Sequence, residues 1–226
     1  MPLLGSAAML LSFDVLDEAV AEHDRWHTHE HLPERLSIPG FLRGTRWVAV
    51  RGAPRYMVVY EVANLATLTS EAYLERLNAP TPWTARIMPH YRGMARGFCS
   101  VLGSFGYGTG NTAALVRFRP ASAPGETLHR WLLEQALPGL PGVAGLGSVH
   151  LLHGALTPPA TNEQRIRGAD AGVDTAVIVT GYDFDAVAQA AQTTLGARAL
   201  ERQGAAHASH ALYRFDYSLS CAETGA

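Results

Sequence analysis

Apolar residues run along this chain in two alternating rhythms. Residues 8–15 form an apolar, strand-like run, and residues 16–32 then carry helical spacing through Ala19, Val20, Trp26 and His27. Pro33 and the Ile38-Pro39-Gly40 turn are expected to end that helix. Residues 44–50 and 56–62 read as two strands of a hairpin joined by a short Gly-Ala-Pro connection. The next helix has Asn64 as its candidate cap and apolar positions at Leu65, Leu68, Tyr73, Leu74 and Leu77 before Pro80. Residues 94–102 are strand-like again.

The same order is then repeated: strand (113–118), helix (126–137), strands (147–152 and 175–179), helix (185–195) and strand (211–218). Leu140-Pro141-Gly142-Val143 answers Ile38-Pro39-Gly40-Phe41, and Tyr182-Asp183-Phe184 stands where Tyr60-Glu61-Val62 does. The halves differ chiefly by residues 154–174, rich in Pro, Asn, Asp and Gly, which are expected to form a loop or lid. Each half matches the ferredoxin-like βαββαβ motif. Such a sheet has helices on one face only, and burying the bare face against an equivalent sheet is the simplest solution. The expected fold class is therefore α+β: tandem ferredoxin-like repeats packed sheet to sheet as a barrel within one chain. Residues 1–105 form the first half, 106–226 the second, and 103–111 a flexible linker. The Gly-x-Gly-x-Gly run in that linker leads into a strand, so there is no helix N-terminus to hold a pyrophosphate.

The chain of 226 residues is 47% hydrophobic and 17% charged, with a formal net charge of -2, as expected of a globular, cytoplasmic protein. All 18 basic residues are Arg. Without lysine there is no Schiff base, no pyridoxal phosphate chemistry and no standard phosphate-binding loop. The two cysteines, Cys99 and Cys221, are too few for an iron–sulfur cluster, a Cys-rich zinc site or a disulfide framework. Near-neutral charge argues against nucleic acid, and no apolar run has the length of a membrane span.

Reactive side chains are densest at the first helix and its exit: His23, Trp26, His27, His29, Glu30, His31 and Arg35. At the α-helical period His23, Trp26, His27, Glu30 and His31 share one face, while His29 points elsewhere. That face continues the stripe of Leu16, Ala19 and Val20, so it is expected to line a cavity between helix and sheet. Imidazole titrates near neutrality and suits proton transfer, with Glu30 as an orienting partner for His27 or His31. Trp26 offers an apolar wall. Tyr60 and Tyr91, with Tyr56, His90 and Arg92, are candidates for the same cavity. His27 and His31 also stand at a spacing that chelates a divalent ion, with Glu30 or His23 as third ligand, but the zinc-protease signature is absent. His150 and His153, three apart on a strand, face opposite sides.

The run from Trp26 to Phe41, with its aromatic, His31-x-Pro33 and Pro39-Gly40, resembles the first-helix signature of the EthD-like branch of the dimeric α/β-barrel superfamily. The resemblance implies small-molecule chemistry and carries over His31 alone as a functional residue. The second half holds His129-Arg130-Trp131 without a His-x-Pro, so one working site in the first half is expected. The expected function is acid/base chemistry of the isomerase, cyclase, lyase or cofactor-independent monooxygenase type on an apolar, aromatic or polyketide-like substrate. His31, Glu30 and His27 would be catalytic, and Trp26, His23, Arg35, Tyr60 and Tyr91 would bind substrate. No metal or cofactor is expected. The alternatives are a non-catalytic small-molecule binding barrel and a metal- or haem-dependent enzyme of the same fold. Partners are limited to the substrate and, through outer faces, to copies of the chain in a homo-oligomer.

Overall fold

The computed structural model describes residues 3–122 and 125–224. In chain order, β1 (Ala7–Val15), α1 (Val20–Trp26), α2 (Leu32–Leu36), β2 (Phe41–Arg51), β3 (Tyr56–Val62), α3 (Glu71–Asn78), α4 (Pro82–Ile87) and β4 (Tyr91–Gly106) come first. Then follow β5 (Thr112–Pro120), α5 (Glu126–Trp131), β6 (Leu146–Leu156), α6 (Asn162–Arg167), β7 (Ala171–Gly172), β8 (Thr175–Gly181), α7 (Phe184–Gln192), α8 (Ala197–Arg202) and β9 (Ala205–Ser220). The first eight strands to pair run β1-β3-β2-β9-β5-β8-β6-β4, and β4 returns to β1, so the sheet closes as an antiparallel barrel. The order β4-β1-β3-β2 is the same as β9-β5-β8-β6, each the ferredoxin-like order.

Period-two alternation explains why these strands are apolar almost throughout. On β1, Met9, Leu11 and Phe13 face the helices of their own half, while Ala8 and Leu10 face the barrel interior. On β5, Ala114, Val116 and Phe118 face the second helical layer, and Ala113 and Leu115 the interior. Three cores result: one under each helical layer and one inside the barrel, where Trp47, Val59, Leu152, Ile178 and Tyr213 meet.

Residues 103–106 are not linker. Strands β4 and β9 are 16 residues long, pairing with their own half first and then with the other, β4 to β6 and β9 to β2. Extending both strands satisfies the backbone groups that two separate sheets would leave at their edges. The chain reversal is confined to the residues after Gly106, whose φ of 80° lies where glycine is favoured.

Pro33 does not end the first helix. A π-helical turn, His27–His31, joins α1 to α2, with the Leu32 N–H bonding the His27 carbonyl. A proline inside a helix lacks one donor and crowds the preceding turn, and the wider turn accommodates it. The second helix is shorter than expected. Ser70, rather than Asn64, caps α3 through the Tyr73 N–H, and α4 starts afresh at Thr81, which caps it through the Thr84 N–H. No described helix is long and apolar enough to cross a membrane.

Because the interior core is shared by both halves, a cavity made there should weaken the whole barrel. Leu152→Ala, at a fully buried position, should cost roughly 2–5 kcal/mol. Urea unfolding at neutral pH measures it; a loss under about half a kcal/mol would show that the barrel interior is loosely packed.

Candidate functional site

The helix carrying the imidazoles turns them inward. His23, Trp26, His27, His31 and Arg35 are all buried, and His29 is exposed. The rings of His23 and His27 lie 5.5 Å apart and those of His27 and His31 5.6 Å, with the Trp26 ring 4.3 Å from that of His31. Four-residue steps through the π turn keep the imidazoles in one row. The same turn advances less per residue than an α turn, so Glu30, three residues after His27, falls behind the row.

Glu30 therefore orients neither histidine. Its carboxylate accepts from Trp26 Nε1 at 3.0 Å and from Thr81 Oγ1 at 2.6 Å, which fixes the indole against α4. The partners of the row come from elsewhere. The Asp24 carboxylate accepts from His23 Nδ1 (3.1 Å) and from the Tyr56 hydroxyl (2.7 Å), leaving His23 Nε2 to face the Tyr91 hydroxyl at 3.2 Å. This chain links a half-buried carboxylate to a phenol on the cavity wall. The Tyr60 hydroxyl stands 3.4 Å from His27 Nε2.

Beneath the row lies a cavity of about 30 Å³ lined by His27, His31, Arg35, Tyr91 and the apolar floor of β1, including Met9 and Leu11. Trp26, His23 and Tyr60 stand behind this lining, not in it. Buried Nδ1 atoms of both His27 and His31 lack a hydrogen-bond partner among the described residues. Such orphans cost about 1–3 kcal/mol each in a folded protein and call for an explanation. Burial, reinforced by nearby cations including Arg35, holds both imidazoles well below the ordinary value of 6.5, so they are neutral at pH 7. Burial likewise lowers His23 and keeps the Tyr91 phenol protonated.

Four polar groups of this site escaped the sequence reading. Arg35 donates to Glu34 at 3.1 Å and, from its other terminal nitrogen, to buried Glu163 on α6. Arg96 on β4 lies 2.9 Å from Asp170, which also receives Arg167 at 2.6 Å. Glu163, Arg167 and Asp170 belong to the inserted stretch, which crosses from the second half onto the first and closes the cavity. Its composition announced a lid; nothing in it announced a buried carboxylate 128 residues from its partner. His31, Glu34 and Glu163 bring potential ligand atoms within 4.8 Å of one another. The Arg35 guanidinium is paired to both carboxylates and would repel a cation held between them, so this group opposes a divalent ion. Glu30 is too engaged elsewhere to serve as the third ligand for His27 and His31.

The corresponding turn of the second half, Leu132–Ala136, is also π-helical and follows Trp131 as the first follows Trp26. The buried core beneath it holds Leu, Val, Ala and Phe118 and no histidine among the described residues. His150 bonds Ser104 and Ser148 near the barrel interior, whereas His153 packs on His129 on the other face. Tyr56 is tied to Asp24, and Arg92 to the backbone at Pro89 and Tyr91. The Cys99 thiol is buried and pushed up to about 12, an inert core group.

No family model matches the sequence, and no curated protein matches it. Among solved structures the chain superposes on an anthrone oxidase-like protein with a TM-score of 0.65 at 12% identity, covering 99% of this chain and 97% of that one. A candidate monooxygenase from Fusobacterium nucleatum gives 0.62 at 9% identity over 96% of each chain. A chlorite dismutase from Candidatus Nitrospira defluvii, solved with imidazole, gives 0.52 at 14% over 96% and 92%. The fold is the dimeric α/β barrel. At these identities the likeness is one of architecture.

Two neutral, buried imidazoles make stability depend on pH. Their folded values are depressed, so their contribution is present above about 6.5 and is lost as pH falls below it, because the unfolded chain then binds protons that the native state refuses. The slope should approach about 1.4 kcal/mol per pH unit for each histidine. Urea unfolding between about pH 7.5 and 5 should show this loss, reduced by one proton in His31→Leu; a flat profile would mean that the rings take up protons in the folded state.

Proposed function

We propose that the first-half cavity is the active site of a small-molecule enzyme of the EthD-like kind, acting by general acid/base chemistry on an apolar, aromatic or polyketide-like substrate. The observation that carries this reading is the pair of neutral imidazole nitrogens without a hydrogen bond among the described residues, that of His31 lying 3.9 Å from the Glu34 carboxylate, beside a buried guanidinium. His31 acts as base. Its neutral ring takes a proton from a carbon activated by an adjacent carbonyl or ring, and the electron pair moves to oxygen as an enolate. Arg35 stabilises that oxygen, and Trp26 holds the His31 ring by stacking. His27, with Tyr60 as its neighbour, is the second titratable group. Tyr91, backed by His23 and Asp24, returns a proton at the opposite wall.

Proton removal followed by its return at another atom is isomerisation or cyclisation, and loss of a leaving group instead gives a lyase. With dioxygen as co-substrate the enolate carbon is oxidised from CH₂ to C=O, one oxygen atom staying on carbon and the other leaving as water. The anthrone oxidase-like and monooxygenase folds among the neighbours support this last version, an oxidation by dioxygen. All the groups it uses belong to the chain, and Arg35 supplies the positive charge that a metal would bring.

The competing reading is a non-catalytic binding barrel; the closed cavity of about 30 Å³ is equally small for a bound ligand and for a substrate, since such pockets run to roughly 300–1,000 Å³. Turnover separates the two. Anthrone-type tricycles, with and without a carboxylate, should be oxidised to the quinone by the wild type. His31→Ala should lower kcat at least about a hundredfold with its near-ultraviolet circular dichroism intact. An unchanged rate in that variant removes His31 from the chemistry.

A further inference from the structure

The crossing segment, residues 157–170, does more than cover the cavity: its carboxylates occupy the cationic groups that a substrate would meet. Removed from the site in thought, it takes with it the three charged groups that face the site, Glu163, Asp170 and Arg167, together minus one; its fourth charge, Arg165, is exposed and bonds Asn162. What stays on the first half is Arg35, Arg96 and Glu34, a net charge of plus one, beside His31 and an apolar floor. Both guanidiniums are buried, Arg35 on α2 and Arg96 on β4. Neither can stand uncompensated out of water.

The attachment of the segment is otherwise light. Asn162 makes two exposed hydrogen bonds to Asn78, at 3.1 and 2.6 Å, and Ile166 packs only partly against the first core. Arg96 also donates weakly to the Pro159 carbonyl at 3.4 Å. Prolines 158 and 159 precede α6, and Gly168 at φ 100° follows it, so irregular backbone flanks the helix on both sides. Beyond the segment a groove of about 490 Å³ runs along Gly97, Leu156 and Pro158, and Arg96 lines both this groove and the inner cavity. Shifting the segment joins the two spaces into one of drug-like size.

We propose that Arg35 and Arg96 form an anion-binding subsite for a monoanionic, largely apolar ligand, whose carboxylate displaces Glu163 and Asp170 and moves residues 157–170 off the cavity. This rests on the reading of the cavity as a substrate site and specifies the substrate class: an aromatic acid carrying a single negative charge. The carboxylate accepts from both guanidiniums, one oxygen on each, which compensates Arg96 and leaves Arg35 an N–H for the enolate oxygen; the ring lies over Met9 and Leu11, and the reacting carbon comes beneath His31. The segment thus acts as an internal competitor that keeps the site closed until a ligand of matching charge arrives.

The test compares 1-naphthoate with 1-naphthamide, its neutral isostere, by calorimetry on the full chain, together with tryptic cleavage after Arg165 and Arg167. Naphthoate should bind the wild type at least about tenfold more tightly than naphthamide. Glu163→Gln, which removes the competing charge and loosens the closure, should tighten naphthoate about tenfold more than it tightens naphthamide. Arg35→Gln should lose the preference while still binding naphthamide, which shows that it has folded. Naphthoate should also accelerate cleavage in the segment. Equal affinity for the two compounds, no binding of naphthoate to wild type or Glu163→Gln, or slower cleavage with ligand would each overturn the proposal. Binding is read without turnover, so a fully active His31→Ala leaves the anion subsite standing, and a failure with naphthoate leaves the assignment of His31 standing.

Discussion

Burying a guanidinium is among the costlier things a fold does, and the answer found for Arg35 governs the rest of this site. A charge of that size out of water needs a partner with good geometry or it destabilises the protein by several kcal/mol. Glu34, one residue earlier, supplies one contact; Glu163 supplies the other from the far half of the chain. That ion pair brings an otherwise peripheral segment across the barrel, and with the segment comes the wall that shuts the imidazole row away from solvent. Burial, to which that wall contributes, and nearby cations depress the proton affinity of His27 and His31.

The barrel makes such a long-range pairing reliable. Strands β4 and β9 pass from one half to the other without a break, and the shared interior core leaves the halves no independent motion at that seam. Residues 154–174 leave β6, cross the first helical layer, and return through β7, which pairs with β4 beside Arg96. The chemistry is concentrated on one side: the turn Leu132–Ala136 has the geometry of His27–His31 without its imidazoles.

Much of this was legible from residue order because period-two and helical rhythms report burial directly. The βαββαβ order, the sheet-to-sheet closure and the inward row of His23, His27 and His31 follow from such patterns; residues 154–174, whose composition suggested a loop or lid, instead hold the end of β6, helix α6 and strand β7. The errors have physical causes as well. Periodicity assumes 3.6 residues per turn, so a π turn preceding Pro33 moved Glu30 off the row and onto Trp26. Glycine composition suggested a linker at 103–106, where pairing with β6 imposed a strand. Glu163 and Arg96 were invisible because their meaning lies in partners distant in sequence, which no local rhythm encodes.

Closure of the cavity wall by Arg35 and Glu163 leaves the His31 ring neutral and dry, a state that histidine ring ¹⁵N chemical shifts followed against pH measure directly. The ligand-free protein should show His27 and His31 as neutral rings with no titration near the ordinary 6.5, and Glu163→Gln should restore titration to His31. A His31 ring that titrates at the ordinary value in the wild type, and does so unchanged in Glu163→Gln, would contradict the account.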